Sequence, residues 1–90
     1  MAVYSINYDL VNPGRNYDDL INAIKSYSAW CHPLESCWLI ITEQEPESIR
    51  NYLNGHMDAN DKIFVAKVTA PAAWCNLSKE VSDWIHRYLK

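Results

Sequence analysis

Glycine, basic charge and long apolar runs are all scarce in this chain, and each scarcity narrows what the protein can be. Two glycines in 90 residues, beside 49% apolar residues, exclude a flexible, disordered chain. Basic residues are outweighed, giving a net charge of −3. The imbalance is concentrated in the middle, where Glu35, Glu43, Glu45, Glu47, Asp58 and Asp61 face Arg50 alone. Tight binding to nucleic acid without regard to sequence rests on phosphate-neutralising cations. The composition therefore argues against a strong binder of that class, and does not exclude an enzyme that meets nucleic acid transiently through a local patch. No apolar run approaches the ~18 residues of a membrane span, and no basic run followed by an apolar stretch opens the chain. A cytosolic protein is expected. Paired cysteines are missing as well: Cys31, Cys37 and Cys75 include no Cys-x-x-Cys. Their spacings with His32, His56 and His86 fit no zinc finger or ribbon, so reduced, buried or half-buried thiols are the default. There is no internal repeat or low-complexity tract.

What the chain does have is bulk. Four tryptophans and six tyrosines must share the core of a single 90-residue domain. Some are expected at the surface, packed against a second copy.

The opening stretch alternates, with Tyr4, Ile6 and Tyr8 on one side and Val3, Ser5 and Asn7 on the other, which is strand period. Asp9 stands where that strand runs out. Pro13 and Gly14 then break the chain, and Asn16 with Asp19 resembles a capping box at the head of a helix. A carboxylate at a strand tip beside a helix entrance is where α/β layers tend to build sites.

The remaining elements follow from spacing. Tyr17, Leu20, Ile21, Ile24 and Tyr27 form the apolar stripe of a helix over about 17–27. The run from Trp38 to Ile41 is too short for most helices and reads as a buried strand. Residues 29–32 form an edge strand that Pro33 interrupts; a hairpin and one bent strand over 29–42 are both open. Pro46 suits the first turn of a helix that ends near Gly55. Residues 63–69 form a fourth strand, 71–76 a connector and 77–89 a terminal amphipathic helix. The order β-α-β-β-α-β plus a helix predicts an α+β, ferredoxin-like sandwich over 2–69 with a C-terminal helix added.

Tyr8-Asp9 at the strand tip, Arg15 shortly after, Ser36-Cys37-Trp38 entering the middle strands and Asp61 before strand four resemble the small CRISPR-associated endonuclease family. Its members are dimeric adaptation proteins that partner the spacer integrase. The resemblance covers roughly residues 3–69. Asn-Pro-Gly-Arg-Asn-Tyr-Asp-Asp-Leu with His-Pro-Leu-Glu-Ser is similar to short uncharacterised bacterial proteins of the same plan. Virulence-associated ribonuclease toxins share the fold and the strand-end Asp. The resemblance implies that Asp9 from each of two subunits meets across a two-fold axis and binds Mg²⁺ or Mn²⁺. A metal held by few protein oxygens plus water and phosphate suits phosphodiester hydrolysis. The chain departs from the family in its acidic middle. A C-terminal helix also stands where members often carry a short tail that extends the partner's sheet.

Each candidate also has a plain structural role open to it. Asp9 is a catalytic metal ligand or a cap on the following turn. Arg15 contacts phosphate or pairs with Asp18 or Asp19. Ser36 positions substrate or simply belongs to a hairpin, and Tyr8 is expected to bind substrate beside Asp9. Trp38 stacks on a base or fills the core or a dimer contact, and His32 is a general base or an exposed edge residue. The expected function is a homodimeric metal-dependent endonuclease acting on RNA more readily than DNA. The alternative is a non-catalytic dimeric interaction module, an antitoxin or regulator, on the same fold.

Overall fold

A computed structural model describes residues 1–11 and 17–90. Four strands, β1 (Ala2–Asp9), β2 (Ala29–Leu34), β3 (Cys37–Thr42) and β4 (Lys62–Val68), form one antiparallel sheet in the order β2-β3-β1-β4. Helices α1 (Asp18–Lys25) and α2 (Pro46–Asn54) complete the β-α-β-β-α-β order, and α3 (Lys79–Tyr88) follows. The architecture is α+β and compatible with the ferredoxin-like sandwich that the sequence predicts.

The period-2 alternation of β1 sorts its side chains between two different cores. Tyr4 and Ile6 join Trp38 and Ile40 of β3 and the apolar stripes of α1 and α2 (Leu20, Ile24, Ile49, Leu53). Val3 joins Leu39 and Ile41 on the opposite face, where Ile85 of α3 covers them together with Cys31. Helices therefore lie on both sides of β3. This is why β3 reads as an unbroken apolar run, since no residue from Trp38 to Ile41 can afford a polar side chain.

Element ends depart from expectation in ways that local bonds explain. Helix α1 stops at Lys25 rather than reaching Tyr27, because the Ser26 hydroxyl donates to the Ala23 carbonyl at 2.6 Å and closes the turn. Tyr17 occupies its N-cap position; the Asn16 cap and the Pro13-Gly14 break lie outside the described residues. Pro33 does not end β2. The strand continues to Leu34, with its register shifting between Cys31 and Leu34, the irregularity by which an edge strand tolerates proline. Residues 29–42 form a hairpin closed by Glu35 and Ser36. Helix α2 begins with Pro46 and is capped by Gly55 in an ordinary right-handed conformation, so that glycine is not needed for a left-handed turn. Helix α3 starts one residue after Ser78, whose hydroxyl accepts the Val81 N–H at 3.2 Å. No described helix is long and apolar enough to cross a membrane.

Candidate functional site

Helix α3 packs over β2 and the adjoining part of the sheet, not over the whole face. Among the described residues, the other half of that face carries Ser5, Asn7, Cys37, Ala66 and Phe64, and its centre is polar but paired. The Ser5 hydroxyl donates to the Ala66 carbonyl at 3.5 Å, and the Asn7 amide donates to Ser5 Oγ at 3.2 Å and to the Phe64 carbonyl at 3.4 Å. Around this centre stand two large apolar side chains, Phe64 at 67% and Leu34 at 60% exposure.

A shallow cavity of about 470 Å³ opens here, and it unites most of the residues singled out from sequence. Asp9, Tyr8 and Ser36 line it with Cys37, Lys62 and Phe64. Arg15 lies outside the described residues. Antiparallel pairing places Asp9 directly opposite Lys62, so the strand-tip carboxylate has an ammonium as its cross-strand neighbour. Asp9 is exposed, and its side chain makes no hydrogen bond among the described residues.

Capping of the turn, the structural role open to Asp9, falls instead to Asp61. One Asp61 oxygen accepts the Val11 N–H at 2.8 Å and the Tyr17 hydroxyl at 3.2 Å; the other accepts the Asp58 N–H at 2.8 Å. Asp61 thus ties the end of β1, the start of α1 and the loop before β4 into one knot.

Tyr8 is turned the other way. Its hydroxyl accepts the Trp38 indole N–H at 2.9 Å and donates to the Glu35 carbonyl at 3.5 Å, while its backbone N–H donates to the Ser36 carbonyl at 3.1 Å. Tyr8 therefore holds the hairpin that forms one wall of the cavity. His32 stacks on Trp38 with ring centres 3.7 Å apart and planes 7° from parallel, on the face opposite the cavity. Trp38 is 2% exposed and is a core residue.

Burial pushes the Cys31 thiol up to about 12; nearby Cys37 adds to the rise and a backbone hydrogen bond from Leu39 opposes it. Burial raises the Cys37 thiol as well. Neither is poised as a thiolate nucleophile. All three cysteines are free, and Cys75 is exposed rather than buried.

Asp9 is the one acid among the described residues that line the cavity. Among the described residues, no three His, Cys, Asp or Glu side chains are grouped to hold a metal ion. Among the described residues one chain thus offers Mg²⁺ or Mn²⁺ a single cavity carboxylate, Asp9; the paired arrangement that the resemblance implies would add Asp9 of a second copy. Sequence reading missed Lys62, Leu34 and Phe64, because only the β1–β4 and β2–β3 registers bring them beside Asp9. No family model matches the chain, and no solved structure gives a significant match.

Proposed function

We propose that the protein works as a homodimeric interaction module, joined through the half of the sheet face that α3 leaves bare. The observation that carries this reading is the pair of exposed side chains Phe64 and Leu34 on one face, around a cavity whose rim carries one acid and one base. Apolar side chains exposed together on one face favour association, which removes them from water. Two-fold contact is the form most often adopted by soluble oligomers. Asp9 and Lys62 give the rim both signs of charge, so the patch complements a copy of itself. Among the described residues Lys62 is the one cation of the lining, and a rim with both signs of charge suits a protein contact.

The metal-dependent endonuclease is the second reading, favoured by one specific observation: Asp9 leaves its turn to Asp61, and its exposed side chain makes no hydrogen bond among the described residues. The experiment separates the two. Sedimentation at micromolar concentration should give a dimer for the wild type and a monomer for Phe64→Lys. A wild-type monomer rejects the module and, with it, the paired Asp9. The dimer is then incubated with single-stranded RNA and Mg²⁺ or Mn²⁺. No cleavage supports the module. Cleavage that Asp9→Asn abolishes establishes the nuclease.

A further inference from the structure

The opposite side of the hairpin carries an arrangement that neither reading uses. Trp30 and His32 stand two residues apart on β2, so both side chains project from the same face of the sheet, about 7 Å apart along the strand. They flank the core ring of Trp38: the Trp30 and Trp38 centres are 5.5 Å apart and those of His32 and Trp38 are 3.7 Å apart. The register shift that begins after Cys31 bends the strand where His32 turns onto Trp38, the kind of re-aiming that bulges produce. The His32 ring is locked there, with its Nε2 3.1 Å from the Glu35 carbonyl. The last residue of α1 supplies a cation, with Lys25 Nζ 5.1 Å from the Trp30 ring centre and 6.0 Å from that of Trp38.

Covering Trp38 explains the inner faces of these rings but not their outer ones. Trp30 is 38% exposed. His32 is exposed too, although one face is committed to Trp38. Two rings are thus held rigidly by a buried third, on an edge strand, with a lysine beside them. We propose that the outer faces of Trp30 and His32, with Lys25, form a stacking site that takes two bases of a single-stranded nucleic acid, one on each ring.

The Trp30 plane is tilted 58° from Trp38 and the His32 plane 7°, so each ring offers a separate face, and exposed aromatic faces suit this ligand because every base has a π-face. The rings keep their places through Trp38, so little ordering cost falls on binding. The acidic balance of the chain does not conflict with such a site, since stacking needs few phosphate contacts. It does set the character of the interaction. With Lys25 the one cation beside the rings among the described residues, one phosphate is neutralised, and the logarithm of affinity falls against the logarithm of salt with a slope of only about −0.7. The site lies on the α1 side of the sheet and does not depend on the dimer face.

The test titrates the full chain with fluorescein-labelled ten-residue oligouridine and with an abasic strand of equal length. Anisotropy and tryptophan emission are both followed, over a range of salt. Oligouridine is expected to bind and quench tryptophan, with a salt slope near −0.7, and the abasic strand is not. Trp30→Ala and His32→Ala should each weaken binding on the order of tenfold. Trp30→Phe should retain binding, and Lys25→Ala should flatten the salt dependence. Thermal melts check that each variant is folded. Equal binding of the abasic strand, a steep salt slope, or full affinity in folded Trp30→Ala overturns the proposal. If Trp30→Ala does not fold, the wild type decides, because oligouridine that leaves its tryptophan emission unchanged overturns the proposal equally.

Discussion

At the scale of single residues, neighbours decide which polar groups are structural and which are free. Asp9 and Asp61 are both aspartates at the end of a loop or strand, and the sequence offers Asp9 as a turn cap. The structure gives that work to Asp61, with three bonds to Val11, Tyr17 and Asp58. This could not be read from spacing, because donor and acceptor lie 50 residues apart for Val11 and Asp61. Asp61→Ala should therefore cost roughly 2 kcal/mol or more, the scale of hydrogen bonds to a charged acceptor. Asp9→Ala should change stability little, and urea unfolding of the two variants measures both. Cys31 gives a second residue-scale expectation. Its thiol is held up near 12 against an ordinary 9.0, so in that window the folded chain keeps a proton that the unfolded chain releases. The stabilisation is complete below pH 9 and is lost as pH climbs towards 12. Melting temperatures followed from pH 8 upward should fall more steeply in the wild type than in Cys31→Ala. Tyr27, raised by burial and by Tyr52, adds its own loss above its usual range in both proteins.

At the scale of elements, most of the fold was legible. Apolar spacing located all three helices, alternation located β1, and the unbroken run in β3 announced burial on both faces. What spacing does not carry is which face a helix chooses. The stripe of α3 was visible, but nothing in it says that α3 lies opposite α1 and α2, or that it stops short of Phe64. Candidate-site residues divide the same way. Tyr8, Asp9 and Ser36 could be named from a strand tip and a hairpin, whereas Lys62, Leu34 and Phe64 needed the register. The position of α3 has a measurable consequence. Ile85, 6% exposed, is the one fully buried residue of that helix and sits over Val3, Cys31, Leu39 and Ile41. Ile85→Ala should cost about 3 kcal/mol through lost transfer energy and the cavity left behind. Trp84 is only half-buried, so Trp84→Ala should cost less than Ile85→Ala, reversing the weight that ring size alone would assign. Chemical denaturation of the two variants checks the order.

At the scale of the whole molecule, the sheet is covered on one face by α1 and α2 and on half of the other by α3, and the remaining half determines how two copies can meet. Asp9 and Lys62 face each other within one chain, so a two-fold contact has two ways to dispose of the charges. In one, Asp9 of each copy lies against Lys62 of the other and the pairs attract. In the other, the two Asp9 carboxylates lie together at the axis and repel, with a divalent cation relieving the repulsion. The two arrangements respond oppositely to the same substitution. Asp9→Asn removes charge at nearly constant shape. It should weaken the dimer if the carboxylate meets Lys62, and strengthen it in metal-free buffer if the carboxylates meet each other. The interaction-module reading predicts weakening, with dimerisation of the wild type insensitive to Mg²⁺. The charge-swapped double variant, Asp9→Lys with Lys62→Asp, should restore an association that either change alone impairs. Sedimentation equilibrium of the wild type, Asp9→Asn, the two single charge swaps and the double variant, each with and without Mg²⁺, decides the matter. A tighter metal-free dimer for Asp9→Asn would place the carboxylates together and give the endonuclease reading precedence.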